Sequence, residues 1–153
     1  MGKFAGVAAA MSAVSMLASV PASAGTVDQA EKLRRLDIML MVTGLRCRTG
    51  ADNFQADYGR FTAAHLIELN AASNELKADL SRRHGAAGAS RALDRLSTTM
   101  ANQYGGGHPW LNCSQLKSVA RNLAAARGSA PLAEAADQLL APSGSPQLAW
   151  ARR

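Results

Sequence analysis

No stretch of this chain alternates β-branched with polar residues as a half-buried strand does, and much follows from that absence. Without strands there is no parallel sheet, so a nucleotide-dependent enzyme of the P-loop or dinucleotide type has no scaffold to stand on. The motifs of other chemistries are missing too. There is no G-x-S-x-G elbow, no P-loop, no G-x-G-x-x-G and no H-E-x-x-H. The run Gly105-Gly106-Gly107 leads into His108-Pro109 instead of opening a helix after a strand. No C-x-x-C-H is present to attach a haem covalently. The charges are dispersed, with no block of five or more, and no internal repeat is visible.

What is present begins with an export signal. Lys3 gives a positive start, and Phe4 to Val20 is an Ala-rich apolar stretch free of charge. Pro21 breaks it, and Ala22-Ser23-Ala24 supplies the small residues of a cleavage site. The stretch is shorter than the ~20 strongly apolar residues that span a bilayer, and Gly6, Ser12, Ser15 and Ser19 dilute it further. No cysteine follows to carry a lipid, and no later segment is apolar enough to span. The expected organisation is a cleaved signal peptide over 1–24, a helical domain over 25–141 and a tail over 142–153 rich in Pro, Ser and Gly, with Trp150 in it. The expected location is the periplasm or the exterior.

The formal net charge is +6, of which Lys3 contributes one. Export removes nucleic acid as a partner and leaves phospholipid, lipopolysaccharide and acidic glycans as the available anions; dispersed charge also serves plain solubility. Two cysteines, Cys47 and Cys113, make an even pair in an oxidising compartment and therefore a disulfide. Closing that loop stabilises by roughly 4 kcal/mol on the chain-entropy account.

The apolar period is helical nearly throughout. Thr26 or Asp28 is placed to cap a first helix, with Gln29 or Glu31 in capping-box spacing. Leu33, Leu36, Leu40, Gly44 and Cys47 recur at threes and fours, and the dense Ile38 to Val42 predicts a central helix ending near Thr49-Gly50. A second helix is expected from Asp52, paired with Gln55, to His84-Gly85, on the stripe Phe54, Tyr58, Phe61, His65, Leu69, Ala72, Leu76 and Leu80. At that length a bend is expected near Gly59 or around Asn70 to Asn74. A third follows Ser90 and halts at the three glycines, with Leu93, Leu96, Met100 and Tyr104 on one face. A fourth begins near Pro109 or Asn112 and carries Cys113, Leu116, Ala120 and Leu123. A short fifth starts at Pro131, a good first-turn residue. The fold class is all-α: an up-down bundle of four main helices plus a short fifth, closed by one disulfide. In such a bundle the end of the first helix and the start of the fourth share a pole, which is where Cys47 and Cys113 fall.

That pole also collects Arg46, Arg48, Tyr104, His108, Trp110 and Asn112. Cationic, aromatic and hydrogen-bonding groups on a glycine-rich loop suit an anionic or sugar ligand. Equally, the glycines make a turn, Trp110 plugs the core and the arginines complement a helix dipole. His65 lies on an apolar stripe, where it is a core residue with bonded nitrogens, a buried base or an axial haem ligand; Met39 and Met41 raise His/Met ligation without naming a partner histidine. His84, His108 and the acidic residues show no metal spacing. The segment Tyr104 to Cys113, with the export signal and the cysteine pair, resembles small uncharacterised exported proteins of alphaproteobacteria. That resemblance implies an exported, disulfide-bonded domain and carries no activity with it.

The leading expectation is a non-catalytic envelope protein that binds an envelope protein, an anionic surface or a glycan through the disulfide pole, with no cofactor. The alternatives are a small hydrolase or transferase acting on an anionic substrate at His108, Arg46 and Arg48, and a haem or metal carrier. The secreted form is predicted to start at Gly25. Intact mass of the periplasmic protein checks this; a membrane-bound product retaining Met1 to Ala24 contradicts it.

Overall fold

The computed structural model describes residues 22–140, with side chains from residue 25. The expected signal peptide up to residue 21 and the tail from 141 lie outside the described residues. Six helices follow one another: α1 (Ala22–Arg46), α2 (Gln55–Ala64), α3 (Leu66–His84), α4 (Ala86–Tyr104), α5 (Cys113–Ala125) and α6 (Ala130–Leu139). Among the described residues there is no strand, as the missing alternation predicts.

α1 packs against all five other helices, while α3 pairs with α4 and α2 with α5. Its sequence explains this. Leu33, Leu36, Leu40 and Cys47 form one buried face, and Ile38 and Met39 extend burial around the helix. Phe54 just before α2, Phe61 within it and Leu116, Val119, Ala120 and Leu123 from α5 fill one side of that core. Leu132, Ala136 and Leu139 of α6 close the end over it. Each fully buried leucine or phenylalanine here contributes on the order of 1.5–3 kcal/mol. Gly44 permits a close approach on that same side, because a Cβ there would stand 3.4 Å from the Phe54 ring.

The expected long second helix is two helices. The chain breaks at His65, whose φ of −117° and ψ of 24° leave the helical region. Its N–H still bonds Phe61 O and its C=O still accepts from Leu69 N–H, so the break is a single-residue kink. The bend expected at Gly59 or at Asn70 to Asn74 is not there; all of these lie within helices. The cause is tertiary. His65 is buried and its Nε2 donates to Leu123 O at 2.8 Å, near the end of α5.

Helix ends depart from expectation in smaller ways. Thr26 and Asp28 lie inside α1 and do not start it; Asp28 instead pairs with Lys32 at 3.0 Å. Asp52 does not cap α2. Asn53 does that work, its Oδ1 accepting from Gln55 N–H at 3.0 Å. α4 starts at Ala86, before Ser90, directly after Gly85, whose φ of +73° gives the left-handed turn between α3 and α4. α5 begins as expected beside Asn112, which forms a reciprocal capping box with Gln115.

Cys47 and Cys113 are bonded, with their Cα atoms 5.8 Å apart, and tie the end of α1 to the first residue of α5. Reduction should therefore destabilise the fold by roughly 4 kcal/mol. Urea midpoints with and without reductant measure it. Equal midpoints would mean that the bond contributes nothing.

Candidate functional site

The pole is built outward from the bridge. α1 ends by handing Cys47 N–H to Thr43 O, which buries the cysteine and leaves Arg46 and Arg48 exposed on either side of it. Among the described residues neither guanidinium has an ion-pair partner. Asn53 Nδ2 donates to Arg48 O at 2.9 Å, so the backbone beneath that arginine is held. Lys117 of α5 reaches Ala51 O at 3.2 Å across the same turn.

The connection 105–112 faces this end of α1. Gly107 has a φ of +108°, which disfavours any L side chain, and a Cβ there would also stand 3.3 Å from Arg46 Nε. The Arg46 side chain thus lies across a glycine that exists for its conformation. Behind it His108 is buried. Its Nε2 donates to Leu139 O at 3.0 Å, and its Nδ1 accepts from Leu111 N–H at 3.2 Å, with Trp110 N–H at 3.4 Å. Those partners require the neutral ring with its proton on Nε2. Burial pushes the His108 pKa below its ordinary 6.5, and the bond to Leu139 opposes this only in part.

The aromatic rings divide by depth. Tyr104 is buried and stacks on His108 with centroids 6.2 Å apart. Trp110 stands at 85° to His108, centroids 4.6 Å apart, and keeps 38% of its surface exposed. Asn112 is committed to the cap of α5. Of the six residues expected at the pole, the structure presents Arg46, Arg48 and Trp110 outward, uses His108 and Asn112 to hold backbone, and sets Tyr104 inside. Tyr104 also lines a polar cavity of about 260 Å³ with Glu31, Lys32, Arg35 and Gln103. With both ring nitrogens bonded to backbone, His108 can move a proton for a substrate only by releasing the loop or α6.

His65 is likewise committed at Nε2. Its Nδ1 is buried without a hydrogen-bond partner, 4.0 Å from Glu68 Oε1. Met39 is buried in the core and Met41 is exposed. Among the described residues no group of three or more histidine, cysteine, aspartate or glutamate side chains stands ready for a metal.

Two polar clusters escaped the sequence reading. Tyr58, expected on an apolar stripe, donates its hydroxyl to Asp37 Oδ1 at 2.9 Å, and Arg34 links Asp37 to Ser97 of α4. Burial raises the Asp37 pKa; Tyr58 and Arg34 work against that rise. Asp57 is buried at 4% exposure and neutralised by Arg60 and Arg121. In sequence, the i,i+3 spacings of Arg34 with Asp37 and of Asp57 with Arg60 were the visible signals of these clusters.

Comparison with family models, curated proteins and solved structures finds no match to this chain.

His108→Ala should cost roughly 1–3 kcal/mol, because Leu139 O and Leu111 N–H lose their buried partner. The wild type should also lose stability as pH falls below about 6.5, since the unfolded histidine takes up a proton that the folded one resists. Above that value His108 adds no slope. Urea midpoints from pH 5 to 8 should show this slope in the wild type and a shallower one in the variant; identical slopes would contradict the burial account.

Proposed function

We propose that this chain is a non-catalytic accessory protein of the cell envelope, exported by a signal peptide cleaved after Ala24, which binds its partner through the disulfide pole. The scaffold is read as an up-down bundle whose second helix is kinked at His65. The observation that carries the proposal is the division of roles at the pole. The groups able to recognise a partner, Arg46, Arg48 and Trp110, are exposed, and both guanidiniums lack an ion-pair partner among the described residues. The one imidazole there, His108, is buried and spent on backbone. Tryptophan and arginine are also the residues that most often dominate binding energy.

Preorganisation supports the same reading. A bridge, a capping box and a histidine clamp fix the loop before any partner arrives, and this lowers the ordering cost of binding. The hydrolase or transferase reading has less support, because His108 lacks a free nitrogen. The haem or metal reading gains no support from His65, whose accessible surface is 1%.

Arg46→Ala and Arg48→Ala are expected to abolish partner capture in a pull-down from the periplasm. Each should move stability by only ~0–1 kcal/mol, as exposed charges do. Trp110→Ala serves as the contrast: a plugging tryptophan costs about 3–5 kcal/mol, and a half-exposed one far less. If both arginine variants keep every partner while Trp110→Ala unfolds the chain, the pole is a structural cap and the proposal fails.

A further inference from the structure

We propose that the occupant of the pole is an anionic phospholipid surface, with Arg46 and Arg48 on headgroup phosphates and Leu45 and Trp110 in the layer between headgroups and acyl chains. This rests on the reading of the pole as a binding surface and names what it binds.

Five large hydrophobic side chains are exposed among the described residues: Met41, Leu45, Leu66, Ile67 and Trp110. One exposed leucine needs no explanation, but Leu45 and Trp110 lie two and three residues before the bonded cysteines Cys47 and Cys113. Met41 and Leu45 are four residues apart, on one face of the last turns of α1, at 38% and 47% exposure. Arg46 follows at once, and Arg48 comes just past the buried Cys47. Trp110 stands across the Cys47–Cys113 bridge, three residues beyond the glycine on which Arg46 lies. Exposed apolar side chains and guanidiniums without an ion-pair partner thus stand within three residues of the bridge, at the end of α1 and in the connection to α5.

Each component suits a lipid headgroup layer. The indole ring, apolar with one polar N–H, partitions to membrane interfaces. Guanidinium forks match phosphate oxygens in pairs, and cations near an anionic bilayer surface gain attraction that salt screens. The shape argues for a surface over a small ligand. The cavities of about 170 and 260 Å³ are lined by other residues, so neither of them offers the pole a pocket. The contact is peripheral, because no helix among the described residues is long and apolar enough to cross a membrane.

The test uses the protein as the cell makes it, with Trp150→Phe, so that of its two tryptophans only Trp110 reports. It is mixed with vesicles of phosphatidylcholine alone or of phosphatidylcholine rich in phosphatidylglycerol. The expected result is sedimentation and a blue-shifted Trp110 emission with the anionic vesicles only. Partition should fall roughly five-fold for each of Arg46→Ala and Arg48→Ala, and with added salt. Leu45→Ser tests the apolar half without touching the contact between Trp110 and His108; it should weaken partition while circular dichroism and melting temperature hold. Equal sedimentation with both vesicle types, or binding indifferent to the double arginine variant, overturns the proposal. If vesicles do not bind, while an envelope protein or acidic glycan is captured and then lost in the arginine variants, the lipid proposal falls and the binding reading stands. If the arginine variants lose no partner of any kind, both fall.

Discussion

A turn of three glycines has no side chains with which to hold its own shape, and the connection from α4 to α5 takes its shape from one buried imidazole. His108 receives backbone N–H on one nitrogen and donates to Leu139 O from the other. It thereby joins the loop to the end of α6, an element 31 residues away in sequence. The disulfide then fixes the far end of the same loop to α1, the helix against which every other helix packs. Between these two anchors the backbone has little freedom, and the orientation of Trp110 and the seat of Arg46 on Gly107 are consequences. A polar group this deep is stable only because both of its sites are matched; removing the ring would leave two backbone groups unpaired.

The helical content, the core face of α1, the capped start of α5 and the cysteine pair were all legible in the sequence, because each depends on spacing within a few residues or on composition. What was not legible depends on a partner distant along the chain. His65 looked like a core histidine on a continuous helix, and its ring is indeed in the core. The kink it makes comes from Leu123 O, 58 residues on, and no local pattern announces that. His108 was read among the hydrogen-bonding groups that a glycine-rich loop offers a ligand, and it is buried. Its burial is set by Leu139, which sequence proximity could not supply. Tyr58 fell on the apolar stripe correctly by ring, while its hydroxyl found Asp37 on α1. Arg46 and Arg48 are exposed, as arginines usually are, whereas for Trp110 the sequence left a core plug and a surface group both open.

Electrostatics sorts the cations of this chain into two kinds. Arg35, Arg60, Arg82 and Arg83 each answer a carboxylate three or four residues away, which trims helix surfaces and contributes little. Lys77, Arg91, Arg95, Lys117 and Arg127 answer none among the described residues, and neither do Arg46 and Arg48, which differ in flanking the disulfide beside exposed Leu45 and held backbone. Recognition gains most where charge is preorganised and not already neutralised. The proposed binding role is supported by that placement and by the engagement of His108 with backbone.

The central claim is that residues 105–112 form a fixed platform, and amide hydrogen exchange tests it most directly. The Leu111 amide, bonded to buried His108 Nδ1, should exchange as slowly as the first bonded amides of α5. Exchange at the rate of an open surface loop, with the rest of α5 protected, would contradict the account.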